Sequence, residues 1–520
     1  MKKTKEIFLT LVTIALLSIL AVGATYALFT SEAKVNTTIS SAKVEIDVEL
    51  TSLELYSLGV KQDGYYFQNG GSATVNDEGE IELLYVSPGD KVVAHYNLEN
   101  DSNITILYNV TFVINGELAS GLVTSVDGTT PRWTELQPNQ SIEDLVISVE
   151  LPLTASNEYQ NKSANILVLI KAIQGNADPQ ISTAEELQNE LNYASQNPNT
   201  PTVLSLDSNL SVNTPLVVKA GTFVEINLNG NDILPSSVFN ALPGEALVKV
   251  EQGASLKLTD TSGKVRYGSW VDGKYVISDV NNGNADVIVG GNVSLGSDAE
   301  NFQLSTFINH GTLTLDGVSI AGAYALEGNG SAIFNGVLSG DEINENAVVN
   351  LVNASLCWNK TVGGSGIIYT NANLNITKSN LSNNIGFNGG AIVGRGSKAN
   401  IYAVDSKFHD NKAPRGAVLQ LRIGAKATAL RCEILRNEAS PITYETTTLA
   451  ENAVFHIMGS DPCTFIVQNC PLVTVSTDAN GEEVRTNGNL INGEEITNHA
   501  DYLRLIVMSN PFAGHQLQIS

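Results

Sequence analysis

The sequence predicts an all-β chain: an antiparallel β-sandwich followed by a parallel β-helix with a capping helix at its N-terminal end. Three observations predict it. Stretches with apolar residues at alternate positions fill the first third of the chain. A frame of 25 to 27 residues recurs between positions 350 and 440, and one isolated amphipathic segment stands between the two regions.

The composition agrees. Hydrophobic residues make up 42% of the chain and charged residues 16%, against roughly 25% charged in ordinary globular domains. Polarity is carried instead by Asn, Ser, Thr and Gly, as turn-rich β structure requires. A length of 520 residues implies two or more domains. The net charge of −25 repels phosphate backbones and anionic membrane surfaces, which sets nucleic acid aside as a partner.

The chain begins MKKTKEIFLTLVTIALLSILAVGATYALF. Lys2, Lys3 and Lys5 precede an apolar run from Ile7 to Val22, and small residues follow, so residues 1–27 read as a signal peptide cleaved after Ala27. Left uncleaved, this segment is the chain's one expected contact with a membrane. Thr10, Thr13 and Ser18 interrupt it, and a span needs ~20 apolar residues.

Residues 28–175 alternate with the period of two that marks strands. AKVEIDVEL, KVVAHYNLEN, ILYNVTFVI, DLVISVEL and ANILVLIKAI are separated by turn signals such as SPGD, which implies an antiparallel sandwich. The segment GATYALFTSEAKVNTTISSAKVEI (23–46), together with SPGDKVVAHYNLEND and VELPLTASNEYQNKSANILVLIKAIQ (149–174), resembles TasA/camelysin-type proteins, exported through a SipW-type signal peptidase. That resemblance implies a jelly roll secreted by a Gram-positive bacterium, held in the extracellular matrix or at the cell surface. It also implies matrix fibre subunits as partners in a homo- or hetero-polymer, with residues 28–40 as an arm that either completes a neighbour's sheet or pairs within its own. Camelysin-like members have been called metalloproteases, but no HExxH can be built from His95, His310, His409, His456, His499 and His515.

A linker and capping helix are expected over 176–200. In STAEELQNELNYAS, Ser182 with Glu185 or Thr183 with Glu186 forms a capping box, and Leu187, Leu191 and Ala194 share one face. Residues 201–475 carry the β-helix, and 476–520 are expected as C-terminal strands or a cap. The frame is LVNASLCWN, ITKSNLSNN, AVDSKFHDN and ALRCEILRN, ending at Asn359, Asn384, Asn411 and Asn437. Each unit has a small residue five before its Asn (Ala354, Ser379, Ser406, Cys432) and a large apolar one three before (Leu356, Leu381, Phe408, Ile434). Short strands repeating at this period without intervening helix mean stacked coils. The four asparagines are expected to tolerate a left-handed corner and to bond amide to amide as a structural ladder. FVEINLNGNDI and the repeats resemble right-handed parallel β-helices of the pectate-lyase-like kind. FxxN (408–411) with GGAI (389–392) resembles the repeats of chlamydial polymorphic outer-membrane adhesins, which implies adhesion.

Candidate chemistry lies on the outside of the coils. Lys378, Asp405 and Arg431 form one column, Lys407 and Glu433 another, Asp410 and Arg436 a third. Opposite signs on neighbouring coils are expected to neutralise one another. The alternative is a polysaccharide lyase or glycoside hydrolase using Asp405, His409, Asp410 and Arg431. Trp358 and Tyr369, near the variable corner, are candidate sugar-stacking aromatics, with cell-surface glycans as the expected ligands. Cys357, Cys432, Cys463 and Cys470 form no CxxC and have no His at zinc spacing; they read as small buried residues, with a Cys432–Cys470 bond left open. No cofactor and no metal is expected.

Overall fold

The computed structural model describes residues 30–34, 39–40 and 44–519, apart from 77–78, 119–120, 130–131, 157–158, 160–161, 176–178, 199–200, 242–244, 272–273, 279–285, 295–303, 326–327, 337–345, 445–446, 450, 479–481 and 510–512. The expected signal peptide and its expected cleavage point lie outside the described residues. The chain forms two compact units, residues 1–179 and 180–520.

The first unit is a sandwich of two antiparallel sheets. One runs in the order Thr134–Leu136, Ile106–Gly116, Ser163–Gln174, Ile81–Leu84, Ser72–Val75, and the other runs Ile39–Ser40, Glu45–Ser57, Asp90–Asn100, Ser141–Glu150, Val123–Val126. Period-two patterning sets the faces: in Ser163–Gln174, Ala164, Ile166, Val168, Ile170 and Ala172 are buried while the residues between them are not. The SPGD turn closes on itself, with Ser87 N donating to Asp90 Oδ2 at 2.7 Å and Ser57 Oγ to Asp90 Oδ1 at 2.7 Å. Of the two expectations for the N-terminal arm, the structure has the second: Thr30–Lys34 pairs antiparallel within its own sheet, from Thr30 opposite Ile173 to Lys34 opposite Leu169.

The second unit is a right-handed parallel β-helix. Its long sheet stacks eleven strands, from Gln180–Ile181 through Asn373–Thr377 and Asn400–Val404 to Gln516–Ile519. A second sheet stacks nine, from Leu216–Val218 to Ile506–Met508, and a short one stacks five, from Ser319–Ala321 to Glu433–Leu435. One coil shows the circuit. Asn373–Thr377 lies in the long sheet, Asn380–Ser382 in the short one, and Ile392–Arg395 in the second sheet after a glycine turn; Asn400–Val404 then re-enters the long sheet one layer on. The β-helix therefore continues to Ile519, past the expected end at 475, because Ile506–Met508 and Gln516–Ile519 each add a parallel strand.

Helix α1 (Ala184–Gln196) starts on the Thr183–Glu186 capping box, with Glu186 N bonded to Thr183 Oγ1 at 3.1 Å and Thr183 N to Glu186 Oε2 at 3.2 Å. It buries Leu187, Leu191 and Ala194. Gln188 bonds both edge groups of Val217, 3.2 Å to its carbonyl and 2.9 Å from its N–H, and so occupies the open edge of the first strand of the second sheet. The stretch SNNIGFNGGAIVGRG (382–396), expected as one corner, holds two short strands, Ile385–Asn388 and Ile392–Arg395, and the turn between them is the glycine pair: Gly389 has φ +79°, and a Cβ there would lie 2.3 Å from Val393 Cγ2.

Candidate functional site

The repeat asparagines form one buried ladder. Asn359 Nδ2 donates to Asn384 Oδ1 (3.1 Å), Asn384 Nδ2 to Asn411 Oδ1 (3.0 Å), and Asn411 Nδ2 to Asn437 Oδ1 (2.9 Å). A fifth rung follows, with Asn437 Nδ2 donating to Asn489 Oδ1 at 2.9 Å. Each Oδ1 also accepts the backbone N–H of the preceding rung, and each remaining amide proton goes to a carbonyl such as Leu381 O (2.8 Å, from Asn411). All five are 0% exposed. The expectation that these asparagines adopt the left-handed corner is corrected: that conformation belongs to the residue before each, Trp358 (φ 59°), Asn383 (54°), Asp410 (55°) and Arg436 (56°). The ladder residue itself must turn its amide into the stack, and its predecessor makes the bend. Asn309 and Asn335 form a further buried pair, Nδ2 to Oδ1 at 2.8 Å, continued by a 3.0 Å bond to Thr370 Oγ1.

The small-residue column is likewise a hydrogen-bonding column. Ser379 Oγ accepts from Ala354 N, Ser406 Oγ from Ser379 N, and Cys470 Sγ from Cys432 N at 3.2 Å. Cys432 and Cys470 are neighbours on successive coils, and both are free thiols.

Two charged columns sit at the corners flanking the short sheet, and the third, Lys407 with Glu433, lies within it at Nζ–Oε2 3.7 Å. Lys378, Asp405 and Arg431 all have φ near +50°. Arg431 grips Asp405 with Nε–Oδ1 2.6 Å and Nη2–Oδ2 2.9 Å, and Arg436 grips Asp410 with Nε–Oδ1 2.9 Å and Nη2–Oδ2 2.6 Å. The Arg431 hydrogen bond holds the Asp405 carboxyl below the usual carboxylate range. His409 Nε2 lies 3.4 Å from Glu433 Oε2, and burial lowers its pKa. Asp405 and Asp410 thus stand at different corners, each in a bidentate pair, and the structure does not gather the four candidate catalytic groups around one point.

Beside the ladder corner lies an open groove of about 590 Å³, lined among others by Trp358, Asp410, Lys412, Arg436, Glu438 and Glu495. Trp358 is half-buried and rests on the cluster of Ile288, Ala321 and Cys357. Glu438 is pushed up by burial, but hydrogen bonds from Lys412 and Ser440 outweigh that and leave its pKa lowered. Lys412 Nζ meets Glu438 Oε1 at 2.8 Å, and Glu495 Oε1 accepts Gly488 N at 2.6 Å. Tyr369, the other expected sugar-stacking aromatic, is corrected. It is 4% exposed, and its ring is stacked on Phe334 with centroids 5.5 Å apart and planes 8° from parallel. Tyr369 packs in a column with Ile308, Phe334 and Val393 on successive strands of the second sheet, a stacking that sequence spacing does not reveal. Lys412, Glu438 and Glu495 were not singled out by the sequence; only the coil-to-coil register brings them to the groove. Among the described residues, no group of three or more His, Cys, Asp or Glu is placed to hold a metal.

No family model matches the chain, and no curated protein matches it. The TasA/camelysin and adhesin-repeat likenesses find no counterpart in these comparisons. Among solved structures, the catalytic domain of GH87 alpha-1,3-glucanase in complex with nigerose is 9% identical, with 94% of this chain and 98% of that chain covered and a TM-score of 0.18. A variant of that domain in complex with tetrasaccharides is 10% identical, with 84% and 92% covered and a TM-score of 0.16. At such scores the likeness carries no argument, and the architecture above rests on strand register.

Proposed function

We propose that this chain is an exported, surface- or matrix-associated binding protein whose β-helix takes a glycan in the groove beside the asparagine ladder. The observation that carries the reading is the state of the groove's carboxylates. Asp410 is committed to Arg436, Glu438 to Lys412 and Glu495 to a backbone amide. Glycoside hydrolysis uses two carboxyls across the bond, one of them protonated by a raised pKa. Fixed ion pairs instead present oriented donors and acceptors for hydroxyls, and Trp358 supplies an apolar wall for a sugar face. Placement in a biofilm matrix, through the sandwich, rests on the sequence resemblance.

A glycan array probed with the mature chain tests this, run beside a reducing-sugar release assay on the bound glycans. Binding that Trp358→Ala weakens at least ~10-fold, with no release of reducing ends, is the expected result. Release of reducing ends, or no glycan bound, overturns it.

A further inference from the structure

The second unit holds eight arginines. Six of them, Arg266, Arg415, Arg431, Arg436, Arg485 and Arg504, are in ion pairs with carboxylates. The other two stand together. Arg395 and Arg422 are partners in register on successive coils of the second sheet, a spacing of ~4.8 Å between backbones. Like charges directly opposite one another destabilise a sheet, and among the described residues no carboxylate lies within ion-pair distance of either. The carboxylate beside them, Glu451, is held by Arg415, which uses Nη2 on Oε1 at 2.8 Å and Nε on Oε2. Arg395 Nη1 donates to the Tyr369 hydroxyl at 3.4 Å, leaving that hydroxyl's own proton free to donate. Arg395 is exposed and Arg422 half-buried, so the pair is reachable from solvent.

We propose that Arg395 and Arg422, with the Tyr369 hydroxyl, form a subsite for one oxyanion, a carboxylate or sulfate on a small or sparsely charged ligand. Two guanidinium forks one layer apart present parallel donors to such a group, and the anion supplies the negative charge the pair lacks. A dense polyanion is disfavoured by the net charge of −25. Burial, then the neighbouring Arg395 guanidinium, lower the Arg422 pKa, against smaller opposing pulls from Tyr369 and Glu451. The subsite stands on the second sheet and does not rest on the groove beside the ladder.

The test titrates the mature chain at low ionic strength with sodium glucuronate, its neutral methyl ester, and sodium sulfate, followed by calorimetry. Glucuronate binds and the ester does not; Arg395→Gln and Arg422→Gln each weaken binding at least ~10-fold. Sulfate competing with glucuronate marks a site that reads the oxyanion alone, whereas glucuronate without competition marks one that also reads the sugar. Binding of neither anion overturns the proposal. Thermal unfolding of ligand-free Arg395→Gln is a second check. An unchanged or higher midpoint agrees with a relieved repulsion, and a lower one shows the pair to be structural and overturns the assignment.

Discussion

Replacing Asn411 by Leu removes the hydrogen-bonding atoms from the middle of the ladder while keeping the branched four-atom skeleton of the side chain. Asn384 loses the acceptor of its backbone N–H (3.2 Å) and of one Nδ2 proton (3.0 Å), while Leu381 O and Asn437 Oδ1 each lose a donor. The site is 0% exposed, so water does not take over. Each orphaned buried donor costs about 1–3 kcal/mol, and two give about 2–6 kcal/mol. Burial of the leucine side chain returns about 1.5–3 kcal/mol at most, leaving a net loss of about 0.5–3 kcal/mol. The end rung supplies the control. Asn359 Oδ1 accepts only from Ala323 N at 2.9 Å, so Asn359→Leu orphans one donor and, with the same return from the leucine, costs at most about half as much. Urea unfolding of the mature chain, with hydrogen exchange at the Asn384 amide, reads both. A loss under about 0.5 kcal/mol for Asn411→Leu, within the range of ordinary surface substitutions, refutes the reasoning, as does an equal loss for Asn359→Leu.

Stability should fall with acid. His456 is 0% exposed and its pKa is pushed from 6.5 down to about 4, first by burial, opposed by Glu451 and reinforced by Arg415 and Arg422. Between those values the unfolded chain binds more protons than the folded one. This contribution is therefore complete above about pH 6.5 and lost as pH falls toward 4, on the order of 3 kcal/mol in all; His456→Gln should flatten the profile. Alkylation near neutral pH should reach Cys470 before the other thiols, because its contact with Cys432 lowers its pKa and the other three are fully buried; equal labelling of Cys432 by mass mapping contradicts this. Asp232→Asn breaks a buried bidentate pair with Arg266 (2.7 and 2.6 Å) and should cost about 3–5 kcal/mol in the same urea assay. Secreted protein, sequenced from its N-terminus, should begin near Leu28; recovery only with the leader attached contradicts the export reading.

The stacked coils were legible because every coil repeats the same duties at nearly the same interval. Leu356, Leu381, Phe408 and Ile434 point inward in consecutive layers, and their spacing shows it without any knowledge of the fold. Legibility ended where the interval doubled. Asn489 is 52 residues beyond Asn437 yet directly beneath it, because the antiparallel hairpins Ile442–Tyr444 with Thr447–Leu449 and Thr474–Thr477 with Glu483–Thr486 leave the coil and return. The groove was half visible. Trp358, Asp410 and Arg436 carried the signal of charge and aromaticity in a repeated frame, whereas Glu495 reaches the same place only after such an excursion. Tyr369 misled because an outward position on a strand was taken as an open one. The Arg395–Arg422 neighbourhood needed register: the two lie 27 positions apart, and nothing in the text between them says that they face one another.

The ladder also has a direction. Each rung before the last gives its backbone N–H and one amide proton to the next rung's Oδ1, while its other amide proton turns back to a carbonyl of the preceding coil. The side-chain amides of the ladder therefore share one orientation in a medium of low permittivity. The first carbonyl is closed by Ala323 N–H and the last amide by the carbonyls of Ile434 and Leu472. A stack interrupted after any inner coil would end in unfulfilled donors on the face where the next coil belongs. The chain thus carries a polarity that makes each completed layer a template for its successor, and coils recruited in the order of synthesis always meet that waiting face.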